Sequence, residues 1–212
     1  MVQLLRQLLR VILPRRVHSR LRRKVGGLLL DVTMQRIVRE PAALTTSPVL
    51  VKRAIWGWSS GWCVSYEFIE EALSLLSSTN GPILECGSGL STLLIGAYAK
   101  PQGRALYSLE HDPTYATRVL TLVKRYSLDN VSILVSPIIT YSEFDWYEVP
   151  VTLADKTFQF VICDGPPGNT RGGRVGLLPP LRCQLASGCV ILLDDAKRSV
   201  EQRNLREPLN KR

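Results

Sequence analysis

The sequence predicts a doubly wound α/β domain built on a mostly parallel sheet. Three observations carry this expectation. Short apolar runs alternate with helical segments after residue 80. Two of those runs, FQFVICD and GCVILLDD, are apolar almost throughout, as strands covered on both faces are. The first run ends in a glycine turn, Gly87-Ser88-Gly89, that opens onto an amphipathic segment. A chain of 212 residues is long enough for one such domain with an appendage and short for two. A hydrophobic share of 45% and a charged share of 21% exclude a disordered or fibrous chain.

Residues 1–45 are expected to form a basic amphipathic helical extension, and residues 46–212 the domain. In MVQLLRQLLRVILPRR, Leu4, Leu5, Leu8, Leu9, Ile12 and Leu13 recur at helical spacing, with Arg6 and Arg10 between them and Pro14 at the end. That is too interrupted for a secretory signal, and no stretch reaches the roughly 18 to 20 apolar residues of a membrane span. Such a helix suits an anionic membrane surface, reached through residues 1–30. It equally suits packing on its own domain or on a second subunit, and its Arg-rich start is also similar to an organelle transit peptide.

Further elements follow in order. Tyr66 to Leu76 reads as a helix, and Trp56 to Trp62 as a loop whose three tryptophans either line an acceptor pocket or pack as a cap over the sheet. After the Asn80-Gly81 turn, strands are expected at Ile83 to Cys86, Leu106 to Glu110, Ser132 to Val135, Phe158 to Cys163 and Cys189 to Leu193. Helices are expected at Ser91 to Tyr98, Pro113 to Tyr126 and Pro179 to Leu185, and a loop from Tyr141 to Val149. Domains of this pattern usually continue past the fifth strand with a helix and two more strands. Only seventeen residues follow Asp195, so the last two strands are expected to be lacking. An open edge there would favour a homodimer.

The net charge of +9 is uneven. Residues 1–40 hold ten Lys/Arg against two acids and residues 196–212 hold six against two, whereas residues 41–195 hold eleven against fourteen. The domain itself is mildly acidic, so nucleic acid is not its expected partner, and an anionic surface would be met by the tails. Five cysteines without a CxxC pair read as buried, reduced thiols of a cytoplasmic protein.

The segment GPILECGSGLSTLLIG carries the chemistry. In a parallel sheet, ligands sit beyond the carboxyl ends of the strands where the connections change direction. Gly87 and Gly89 leave room for a ligand at the backbone, and Ser91 and Thr92 are placed to cap the next helix, whose free amides favour an anion. Glu110 lies 21 residues beyond Gly89, where a carboxylate accepts hydrogen bonds from a ribose diol. Glu85, directly before the turn, would repel a pyrophosphate but attract an ammonium. Thr92 also stands where a dinucleotide fingerprint requires a third glycine, so a nicotinamide oxidoreductase is the weaker reading.

ECGSGLST, SLEHD, VICDGPPG and ILLDDAKR together resemble the successive signature segments of class I, Rossmann-like methyltransferases that use S-adenosylmethionine. The resemblance covers roughly residues 60–205. It implies that Glu85, Cys86, Gly87, Ser88 and Gly89, with Ser91 and Thr92, hold the methionine end, that Glu110 holds the ribose, and that His111 and Ser136 lie near the adenine. Asp164 and Asp194 are the implied catalytic acids. With Asp195 they are similar to the set that binds a divalent ion such as Mg in catechol-type O-methyltransferases. Without a metal, Asp164 would serve as a general base, and Asp194 and Asp195 would cap a helix. CDGPPG departs from the D/N-P-P-aromatic motif of base methylation by Gly165 and Gly168. The implied acceptor is a small molecule or a glycan- or lipid-like compound with an oxygen or nitrogen nucleophile. A non-catalytic binding protein that retains the fold is the rival reading.

Overall fold

The computed structural model describes residues 15–58 and 63–194. Residues 1–14, Trp62, Asp195 and the segment 196–212, on which the expectation of lacking strands rests, lie outside the described residues. In chain order the helices are α1 (Arg15–Arg39), α2 (Ala43–Thr46), α3 (Pro48–Gly57), α4 (Tyr66–Ser77), α5 (Leu90–Ala99), α6 (Pro113–Arg125) and α7 (Leu178–Leu181). The strands are β1 (Ile83–Cys86), β2 (Leu106–Glu110), β3 (Val131–Val135), β4 (Ile138–Thr140), β5 (Asp145–Tyr147), β6 (Phe158–Cys163) and β7 (Leu185–Leu193).

Five strands form one parallel sheet in the order β3-β2-β1-β6-β7. Ile83 at the start of β1 is level with Leu106 on one side and Phe160 on the other, so the strands that bear the expected site end at a common rim. The order reverses at β1, which is where the sheet opens a crevice. Sequence signals set the helix starts: Ser65 Oγ accepts from Phe68 N at 3.1 Å before α4, and Asp112 accepts from Thr114 N and Tyr115 N before α6, which begins at Pro113.

One sheet face, with Ile83, Leu106, Phe160 and Ile162, packs under α5, α6 and the amino-terminal helices. Leu30, Met34 and Ile37 of α1 belong to this same core, so the described part of residues 1–45 packs on the domain. Each such fully buried aliphatic or phenyl side chain contributes about 1.5–3 kcal/mol. Trp58 is buried in this layer too, with the Arg118 guanidinium 5.3 Å from its ring, which favours the packing reading for that tryptophan.

The other face departs from expectation. Leu84, Cys86, Leu109, Val161 and Cys163 are covered by Trp146, Tyr147, Leu153, Leu177 and Leu181, residues of a hairpin and short turns rather than of long helices. The expected loop Tyr141 to Val149 contains the second strand of that hairpin, β4 paired antiparallel with β5. Its residues, IIT and DWY, are β-branched and aromatic, the types that suit a pleated, half-buried surface. Trp56 lies inside α3 and not in a loop. The helix expected from Pro179 to Leu185 is limited to Leu178–Leu181, because prolines fit only its first turn, and β7 starts at Leu185 instead of Cys189. All five cysteines are free, but only Cys86 and Cys163 are fully buried, while Cys63 and Cys183 are exposed. Among the described residues no helix is long and apolar enough to cross a membrane.

Candidate functional site

The cleft at the carboxyl rim is walled by the glycine turn Gly87 to Ser91, by Glu110 to Asp112 after β2, and by Asp164 to Gly168 after β6, with Cys63, Val64, Tyr115 and Tyr147 completing it. Gly87 is required on two grounds. Its φ is +95°, and a Cβ there would stand 2.9 Å from Gly165 N. Gly89 is in extended backbone, where any residue fits, and a Cβ there would meet nothing nearer than the Tyr115 hydroxyl at 3.9 Å.

Glu110 ties two strand ends together. Its Oε2 accepts from Ser88 N at 3.1 Å and Ser88 Oγ at 2.8 Å, and its Oε1 accepts from Asp112 N at 2.9 Å. The carboxylate is thereby fixed at the cleft wall, next to the turn in which Ser88 sits. His111 Nδ1 lies 2.9 Å from Glu110 Oε1 without hydrogen-bond geometry, and the imidazole meets the Tyr147 ring edge-on.

Glu85 is not where the sequence suggests. Alternation along β1 turns Ile83 and Glu85 toward the α5 layer and Leu84 and Cys86 toward the hairpin layer. Glu85 is fully buried, outside the cleft lining, and accepts from Ser91 Oγ, Thr92 Oγ1 and Ser108 Oγ, each at 2.6 Å. Burial pushes its pKa up to about 7 against the downward pull of the three hydroxyls. It braces the start of α5, with both carboxyl oxygens engaged by these hydroxyls. Thr92 Oγ1 accepts from Gly89 N at 2.8 Å, so it closes the turn and leaves no free cap. Cys86, Thr92 and Ser136 are buried outside the lining, and Ser136 Oγ donates to Leu134 O.

Asp164 stands on the cleft wall with about a third of its side chain exposed. Its pKa is raised to about 7, first by burial and then by the adjoining Asp194, while the Arg174 guanidinium pulls it down. Arg174 has no signal in the sequence, yet its buried side chain donates to Cys163 O at 3.2 Å, to Asp194 O at 2.9 Å and to Asp164 O, clamping the ends of β6 and β7. Asp194 lies behind Asp164 and outside the lining. Among the described residues no group of three or more His, Cys, Asp or Glu is arranged to hold a metal ion. Tyr147 and Tyr115 went unnoticed in the sequence. The first lies within the expected loop Tyr141 to Val149 and the second within the expected helix Pro113 to Tyr126, and no pattern in the sequence singles out either.

A parallel sheet reversing at β1, a left-handed glycine turn after it and an acid at the tip of β2 define a Rossmann-like nucleotide-binding domain. The family described as "Methyltransferase domain" matches residues 84–196, more than half of the chain, and the chain belongs to it. Among solved structures, the precorrin-6y C5,15-methyltransferase of Geobacter metallireducens is similar at 15% identity and a TM-score of 0.51, over 69% of this chain and 71% of that one. At that identity the likeness is one of fold. A Podospora anserina methyltransferase bound to S-adenosylhomocysteine is 19% identical over 72% of this chain and 61% of its own, with a TM-score of 0.48. A Geobacter sulfurreducens S-adenosylmethionine-dependent methyltransferase is 19% identical over 61% of this chain at a TM-score of 0.42, and the chain spans about half (48%) of its length. A comparison with curated protein sequences finds no match.

Proposed function

We propose that this chain holds S-adenosylmethionine at the β1–β6 rim and directs its methyl group to an oxygen or nitrogen of a small-molecule, glycan- or lipid-like acceptor, with Asp164 as general base. The observation that carries the reading is the Asp164 carboxyl on the wall of a cleft whose other walls include the glycine turn and Glu110, with burial and Asp194 raising its pKa. The bound sulfonium compound supplies an already activated methyl group. The protein's share is therefore to align the acceptor and remove its proton. Glu110, fixed beside Ser88, offers acceptors to a ribose diol; Gly87, Gly89 and Ser91 line the wall toward the amino-acid end; His111 borders the nucleoside. Asp164 takes the acceptor proton, and the clamp of Arg174 holds the acid in place.

A divalent ion such as Mg does not fit the described residues. Burial and the adjoining Asp194 raise the pKa of Asp164 to about 7, and Arg174 already supplies the positive charge on that rim. Calorimetry with S-adenosylmethionine and S-adenosylhomocysteine, with and without Mg, on wild type and Glu110→Ala tests the whole reading. Binding by wild type, at least tenfold weaker in Glu110→Ala and indifferent to Mg, is the expected outcome. Absence of wild-type binding at millimolar concentration overturns the reading.

For location, a cytoplasmic protein touching anionic membrane through its amino-terminal segment is the reading favoured by one feature of α1. Val25, Leu28 and Val32 are exposed along one face, beside exposed Arg22, Arg23 and Lys24. Sedimentation with vesicles containing phosphatidylserine, compared with neutral vesicles, tests this. A homodimer through β7, the last strand of the sheet among the described residues, is tested by light scattering.

A further inference from the structure

We infer that the Tyr147 hydroxyl is a binding group for the methyl donor, giving a hydrogen bond to an oxygen of the sulfonium nucleoside at the β1–β6 rim. The inference rests on the donor reading of the cleft. Tyr147 is fully buried and yet forms part of the cleft wall, and its hydroxyl has no hydrogen-bond partner in the protein. Buried hydroxyls are nearly always paired, and leaving one unpaired is disfavoured, so this atom calls for a partner that arrives with a ligand.

The position of the hydroxyl narrows that partner. A Cβ at Gly165 would collide with it, and the same Cβ would lie 3.1 Å from Gly87 Cα. The hydroxyl therefore sits between the ends of β1 and β6, where the sheet reverses and where the two glycines bring their backbones together. The Tyr147 ring reaches back to His111 at the end of β2, with ring centroids 6.4 Å apart. His111 Nδ1 is a second buried atom on the same cleft without a hydrogen bond.

The side chain is held in advance of binding. Tyr147 pairs with Ile138 across the hairpin, Trp146 beside it packs so tightly on Gly176 that a Cβ there would approach the indole to 2.7 Å, and Arg171 Nη2 donates to Tyr141 O at 2.8 Å. Burial, aided by the nearby thiols and Glu110, keeps the phenol protonated, so its role is that of a donor. The acceptors available on the sulfonium nucleoside are its carboxylate and ribose oxygens.

Tyr147→Phe removes one oxygen atom and keeps the ring. Calorimetric titration with S-adenosylhomocysteine and S-adenosylmethionine should show about tenfold weaker binding than wild type. The unfolding midpoint of the ligand-free variant should be unchanged or raised, because an unpaired hydroxyl has been deleted. Equal affinity in wild type and Tyr147→Phe overturns the inference while leaving the donor reading intact. A lowered midpoint in the ligand-free variant also overturns it, since the hydroxyl would then have a partner within the protein. If wild type binds neither nucleoside, the donor reading and this inference fall together.

Discussion

Replacing Glu85 with glutamine tests the account of the buried carboxyl beneath α5. The folded chain keeps Glu85 protonated up to about pH 7, against an ordinary value of 4.5. Between those values the native state binds the extra proton, so the free energy of unfolding falls as pH rises, by about 1.4 kcal/mol per pH unit. Across the window the loss is on the order of 3 kcal/mol, complete above pH 7 and absent near pH 4.5. Glutamine has the same shape, can still meet the hydroxyls of Ser91, Thr92 and Ser108, and does not ionise. Asp164, whose pKa is raised in the same direction, adds a slope of the same sign to both proteins, and this largely cancels because the Glu85 charge is the smallest of the causes acting on it. Urea unfolding of wild type and Glu85→Gln, followed by tryptophan fluorescence at pH 5, 6, 7 and 8, is the assay. The two should converge at the lowest pH, and the variant should gain on wild type as pH rises. Parallel curves, with wild type and variant keeping a constant gap, would refute the claim that Glu85 is held neutral by burial.

Two further outcomes follow from the rim. Asp164→Asn should lower turnover by roughly 10²- to 10⁴-fold while changing donor affinity less than about threefold, and it should abolish the rise of rate through about pH 7 that deprotonation of Asp164 gives the wild type; steady-state rates from pH 5.5 to 9 beside calorimetry check this. Gly87→Ala should lose about 1–3 kcal/mol of stability, from a positive φ and the collision with Gly165, and should weaken donor binding; a variant as stable as wild type in urea would contradict the geometry of the turn.

The central strands were legible because their physics is local. β1, β2 and β6 match the apolar runs residue for residue, since a strand covered on both faces needs little besides apolar and β-branched side chains. The glycine turn and Glu110 were legible for a related reason: the chain must reverse after β1, and the tip of the neighbouring strand is a fixed number of residues away. The hairpin of β4 and β5 was missed because three-residue strands give too short a pattern to register, and Pro179-Pro180 hid the limits of the last helix.

Sequence alone determined the sheet, its glycine turn and the acids at its rim, because periodicity and turn chemistry act between near neighbours in the chain. Tertiary structure alone decided which of those groups meet a ligand. It drew Glu85 under three hydroxyls, set Arg174 against Asp164 across ten residues, and laid Tyr147 over Gly165. Such pairings depend on which face of a strand is covered and by what, and that is fixed only when distant segments pack.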